Sequence, residues 1–126
     1  MAIPLGTIII YARDMKKTAL FYSRHFGFET TGEVDEGLIE LRSIAGGACI
    51  LIHQAAKSVK LGQVTVKLSF HVQDVLAFIV KASSEGLNFG PAHKANGYLF
   101  ANAKDPDGNS LSISSRAFRS GGQGEV

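Results

Sequence analysis

A single cysteine, a net charge of only +2 and the lack of any long apolar run set the first limits on this 126-residue chain. Cys49 has no partner for an intrachain disulfide and sits in an apolar run, so a reducing cytoplasm is the expected compartment. The basic residues are scattered, which argues against a nucleic-acid footprint. No segment reaches the roughly 18 apolar residues that cross a bilayer, so no membrane partner is expected. The opening residues MAIPLGTIIIYAR carry no basic segment ahead of the apolar one, and Ile8 to Ile10 read as strand core. The common catalytic signatures G-x-x-x-x-G-K-[ST], C-x-x-C, G-x-S-x-G and H-E-x-x-H are missing as well. Cys49 has no argued base beside it and is a poor nucleophile candidate. What remains is an ordinary globular balance, 45% hydrophobic and 19% charged, in a chain long enough for one domain with a core.

Periodicity places the elements. Gly6 to Ala12, GTIIIYA, is β-branched and aromatic and reads as a strand. Asp14 is an N-cap candidate. Met15, Ala19, Tyr22 and Phe26 then recur at helical spacing up to Gly27. Strands are expected over Phe28 to Val34, Leu38 to Ser43 and Ala48 to His53. Residues 54–63 carry no period and read as a linker. The order then repeats: a strand over Val64 to Val72, an N-cap candidate at Asp74, and a stripe of Val75, Phe78, Ile79 and Ala82 closed by Gly86. Strands are expected over Leu87 to Phe89, Gly97 to Lys104 and Ser110 to Ser115. The Gly-rich end predicts a flexible tail over 116–126.

The two halves therefore read as modules over 5–53 and 64–115, each β-α-β-β-β, and looking for such repeats precedes other fold assignments. One copy alone would leave a sheet face uncovered, so two copies paired around a cleft is the economical arrangement. The stretch KDPDGNSLSIS, Lys104 to Ser114, closes the second module. Asp105-Pro106-Asp107-Gly108 has strong turn chemistry. The strand after it alternates Leu111 and Ile113 with Ser110, Ser112 and Ser114, so an apolar face opposes an uncharged serine face.

The βαβββ repeat, the RDM…A.FY…FGFE opening at Arg13 to Glu29 and the DPDGN.L.I ending at Asp105 to Ile113 resemble the vicinal oxygen chelate superfamily. That group holds glyoxalase I, extradiol dioxygenases, fosfomycin-resistance enzymes and bleomycin-binding proteins. The resemblance spans about residues 5 to 115. It implies an α+β fold, with two βαβββ modules forming a curved mixed sheet around a central cleft, and a homodimer. It also implies where metal ligands would stand: Thr7, Leu51, Lys67 and Ser112. None offers an imidazole or carboxylate, which a divalent-metal site of this kind requires. Their neighbours on the opposite face, Ile8, Ile50, Leu68 and Leu111, are apolar, so a register error does not supply the missing donors. No metal and no other cofactor is therefore expected.

Strand parity assigns the lining of the expected cavity. Thr7, Ile9 and Tyr11 come from the first strand, with Cys49, Leu51 and His53 from the fourth. Lys67, Ser69 and His71 follow, then Tyr98, Phe100 and Asn102, and Ser110, Ser112 and Ser114. Apolar walls with a few convergent polar groups are how small-ligand sites are built. Thr7, Tyr11, His53, Ser69, Phe100, Asn102 and Ser112 are the ligand-binding candidates. Lys67, expected to be partly buried, could hold an anionic ligand or act as base, or could snorkel to the rim or pair with Glu40. His71 lies on the same face at ~13 Å along the strand, as an acid/base or a wall residue. Tyr11 and Phe100 could stack on a planar ring or fill space. The facing of Glu40 stays open. His25 and His93 read as solvated, and Gly90 to Gly97 as a lid or a connector.

Three functions follow. The first is a metal-independent binder of a small anionic or aromatic ligand, as the bleomycin-binding resemblance implies. The second is a metal-independent lyase- or isomerase-like enzyme using Lys67 or His71. The third, behind them, is a glyoxalase- or dioxygenase-like enzyme with shifted metal ligands such as His53, His71 and Glu40.

Overall fold

The computed structural model describes residues 1–120. They form β1 (Thr7–Ala12), α1 (Met15–Phe26), β2 (Leu38–Leu41), β3 (Cys49–Gln54), β4 (Leu68–His71), α2 (Val75–Ser84), β5 (His93–Lys94), β6 (Leu99–Lys104) and β7 (Ser110–Ser114), followed by a short 3-10 helix at Arg116–Phe118. The fold is α+β, two βαβββ modules with mixed sheets. The chain divides into two compact units. The first is Met1–Gln63 together with Pro106–Gly108; the second is Val64–Asp105 and the chain from Asn109 onward.

In the first unit the sheet order is β1-β3-β2, with β1 parallel and β2 antiparallel to β3. Alternation sends Ile10, Ala12, Ile39, Leu41, Ile50 and Ile52 to one face, where all are buried. Met15, Thr18, Ala19 and Tyr22 of α1 are buried as well, and α1 packs on this sheet. Burial of each large aliphatic side chain stabilises the unit by roughly 1.5–3 kcal/mol relative to exposure. Thr18 was not part of the apolar stripe read from the sequence; it is buried because its hydroxyl donates to Asp107 Oδ2 at 3.0 Å. Asp14 caps α1 by accepting from Lys17 N at 3.1 Å, and the helix ends at Gly27.

In the second unit the order is β4-β7-β6-β5. Strand β4 runs parallel to β7, and β6 is antiparallel to both β7 and β5. Leu111, Ile113 and Ala101 are fully buried on one face, with Val75 and Ala82 of α2 also in the core. Asp74 caps α2 by accepting from Ala77 N at 3.0 Å. In the turn before β7, Asp105 accepts from Asn109 N at 2.9 Å and from Asn109 Nδ2 at 3.0 Å. Gly108 there takes φ +82°.

Several expected elements differ. The Phe28 to Val34 stretch gives a single bridge, Glu29 to Arg42, instead of a strand. Gly32 at φ +75° turns the backbone out of extended geometry just beyond it. Leu87 to Phe89 forms no strand; Leu87 is buried, and Gly90 N donates to Asn102 O at 2.9 Å. The second strand of the second module lies instead within the Gly90–Gly97 stretch, as β5. Strand β4 starts at Leu68, so Lys67 lies just before it. Gln54, assigned to the linker, belongs to β3. The expected tail opens as a 3-10 helix at Arg116–Phe118, and residues 121–126 lie outside the described residues.

Candidate functional site

Each sheet has one face on its helix and one open face. The polar candidates stand on the open faces, as the alternation predicts. On the first unit, Thr7 pairs with Cys49, Ile9 with Leu51, and Tyr11 with His53. Leu38 lies opposite His53, and Glu40 opposite Leu51. Glu40 therefore shares the open face, which the sequence left undecided. Ile9 and Tyr11 are 51% and 52% exposed, so this face presents apolar surface that the helix does not cover. The Tyr11 and His53 rings lie 5.4 Å apart and tilted. A hollow of about 340 Å³ adjoins, lined by Glu29, Thr30, Thr31, Glu40 and Arg42, with the Arg42 guanidinium paired to Glu29.

On the second unit the register assembles two rows. Ser69, Ser112 and Asn102 sit side by side on β4, β7 and β6. His71, Ser114, Phe100 and His93 form the next row, across all four strands. The His93 and Phe100 ring centroids are 5.1 Å apart, and those of Phe100 and Tyr98 are 6.4 Å apart. His93, read from the sequence as a solvated loop residue, therefore extends a run of rings. Lys67 Nζ donates to Asn102 Oδ1 at 3.0 Å. Lys67 is exposed rather than partly buried, because no paired strand flanks it. Its reach to Asn102 still brings the ammonium to the donor row.

Ser112 and Ser114 are only 5% and 7% exposed. Strand β7 lies between β4 and β6, so its small side chains are flanked on both sides. Ser112 is thus floor rather than wall. Ser114 Oγ accepts from Arg116 N at 3.1 Å. Lys104 Nζ donates to Ser110 Oγ at 2.9 Å.

The four positions where the resemblance places metal ligands hold two hydroxyls, an aliphatic chain and an ammonium (Thr7, Ser112, Leu51 and Lys67). These groups do not fit a divalent cation. Among the described residues no group of three or more His, Cys, Asp or Glu side chains is placed to hold a metal. Among the described residues no helix is long and apolar enough to cross a membrane.

Two arginines were missed from the sequence because they fall in the expected tail. Arg116 and Arg119 each place their guanidinium carbon 6.0 Å from the Tyr98 ring centroid. No strand or helix period reaches them, because Arg116 opens a short 3-10 helix just past the end of β7.

Solved structures with this fold include TnmS3, an antibiotic binding protein from Streptomyces sp. CB03234, at 18% identity and TM-score 0.73, covering 90% of this chain and 96% of that one. UcmS2 matches at 17% identity and TM-score 0.75, covering 91% and 99%. A lactoylglutathione lyase from Agrobacterium tumefaciens matches at 19% identity and TM-score 0.67, covering 90% and 92%. At these identities the likeness is one of fold. No curated protein matches the sequence. The profile of the Glyoxalase/Bleomycin resistance protein/Dioxygenase superfamily matches residues 5–113. With that match running from before β1 into β7, the chain belongs to this superfamily.

Proposed function

We propose that this chain is a metal-independent binding protein for a small planar ligand that carries an anionic or carbonyl oxygen. The observation that carries the reading is the pairing of two rows on the second unit's open face. A row of donors, Ser69, Ser112 and Asn102 with Lys67 at its end, lies beside a row of rings, His71, Phe100 and His93. Rings accept a planar molecule by offset stacking. An ammonium with three protons gives one to Asn102 and keeps two for a ligand oxygen. On the first unit, Thr7, Tyr11 and His53 offer the same mixture of hydroxyl and ring. The likeness to an antibiotic binding protein supports small-molecule binding. The homodimer implied by the resemblance belongs to the same proposal, and light scattering of the purified chain tests it.

A thermal-shift screen of planar acids and their neutral analogues tests the reading, because a ligand of the native state raises Tm. Lys67→Ala is expected to weaken an anionic hit by about tenfold, the scale of one charge-assisted hydrogen bond, while a neutral analogue changes by less than about twofold. Calorimetric titration of both variants reads this directly. Undiminished binding of the anion by Lys67→Ala would remove Lys67 from the site. If no planar compound stabilises the chain, the proposal fails.

A further inference from the structure

We propose that Tyr98, Arg116 and Arg119 form a second binding site on the second unit, for an aromatic acid: a planar ring carrying a phosphate or carboxylate. Both guanidinium carbons lie 6.0 Å from the one ring centroid. Both cations sit near one ring, and each can offer its guanidinium to an anion there. Among the described residues neither guanidinium has a carboxylate within ion-pair distance. Arg119 Nη1 donates to Arg116 O at 3.1 Å, which holds the arginine-bearing turn and leaves further N–H groups of that guanidinium for a ligand. Arg116 N is fixed on Ser114 Oγ.

The aromatic half of the site follows from register. Tyr98 precedes Phe100 by two residues and Arg116 follows Ser114 by two, and Phe100 pairs with Ser114. The two arginines therefore stand at the end of the open face where the rings of Tyr98, Phe100 and His93 run on from one another at 6.4 and 5.1 Å. Tyr98 and Arg119 are half-buried, and Arg116 is exposed. Arginine presents a planar fork that matches phosphate and carboxylate in a bidentate way, and it stacks on rings where lysine does not. A ligand with its acid group on the fork brings its own ring against the Tyr98–Phe100 run. A bare anion gains only the first half of this, so the site favours the aryl acid. Lys67 lies at the opposite end of β4 from His71, so this site and the Lys67–Asn102 pair are separate anchors.

Amide-resolved NMR titration with phenyl phosphate, inorganic phosphate and benzyl alcohol tests the proposal. Phenyl phosphate is expected to give saturable shifts at the amides of residues 97–100 and 115–119. It should bind at least about fivefold tighter than inorganic phosphate, as expected for a stacked ring. The Arg116→Ala/Arg119→Ala double variant should weaken it by about tenfold or more, and Lys81→Ala, at an exposed lysine of α2, by less than about twofold. Arg116→Gln/Arg119→Gln keeps the stems on Tyr98 and should lose as much as the alanine pair. Full binding by the glutamine pair would show that only packing mattered and would overturn the site. So would equal affinity for inorganic phosphate, or shifts centred on Lys67 and Asn102. That last result would leave the donor-row reading standing while this one fell.

Discussion

Gly62→Ala is expected to destabilise the chain by about 3 kcal/mol, lowering Tm by roughly 10 °C or more. Gly62 has φ +77°, a region that costs an L-residue roughly 1–2 kcal/mol. A methyl group there would stand 2.8 Å from the backbone oxygen of Asp107 and 3.3 Å from the carbonyl carbon and Cα of Gly108. These are backbone atoms, so no rotamer change relieves the contact. Either the 106–108 turn shifts or the contact is borne as strain. Gly27→Ala is the control, since Gly27 has φ +74° and open space around its missing side chain. It should cost only about 1 kcal/mol. Urea unfolding of both variants separates the backbone cost from the clash. Equal losses at the two glycines would show that the close approach is unimportant.

Asp107→Ala is expected to cost about 2 kcal/mol. Its carboxylate accepts from Thr18 Oγ1 at 3.0 Å and from Arg13 N at 3.2 Å, within the first unit. Thr18 is only 1% exposed, so its hydroxyl has no easy recourse to water. Hydrogen bonds to a charged acceptor contribute more than neutral ones, and a stranded buried donor costs more still. Asp107→Asn keeps an oxygen in place and should lose less. Thr18→Val combined with Asp107→Ala should recover part of the loss, because both polar partners are then gone. Thermal melts of the native chain, of Thr18→Val and Asp107→Ala singly and of the double variant measure the coupling. Strict additivity of the two single changes would mean that the pair is not an energetic unit.

The same two residues show how far the sequence could be read. Asp107 was legible as a turn residue, since the Asp-Pro-Asp-Gly order has local turn chemistry. Its partner Thr18, 89 positions away in sequence, was not. The N-caps Asp14 and Asp74 were legible because a cap acts within three residues. The expected strands at Phe28 to Val34 and Leu87 to Phe89 failed for the converse reason. A strand exists only if another strand accepts its hydrogen bonds, and composition does not say whether one does.

The candidate site divides along the same line. Its open face was readable, because side chains alternate by local stereochemistry. Thr7, Tyr11, His53, Ser69, His71, Phe100, Asn102 and Ser112 all stand where parity puts them. Their accessibility was not readable. Ser112 is covered because β7 became an inner strand, and Lys67 is exposed because β4 begins after it. His93 and the Arg116–Arg119 pair joined the rings through β5 and a short helix that no periodicity announced.

By itself, the sequence determined the doubled βαβββ plan, the capped helices and the chemistry of each face, since these follow from contacts a few residues apart. The tertiary structure alone decided which of those polar groups meet one another and which meet solvent. Strand order and the reach of long side chains set both, and both join residues that are distant along the chain.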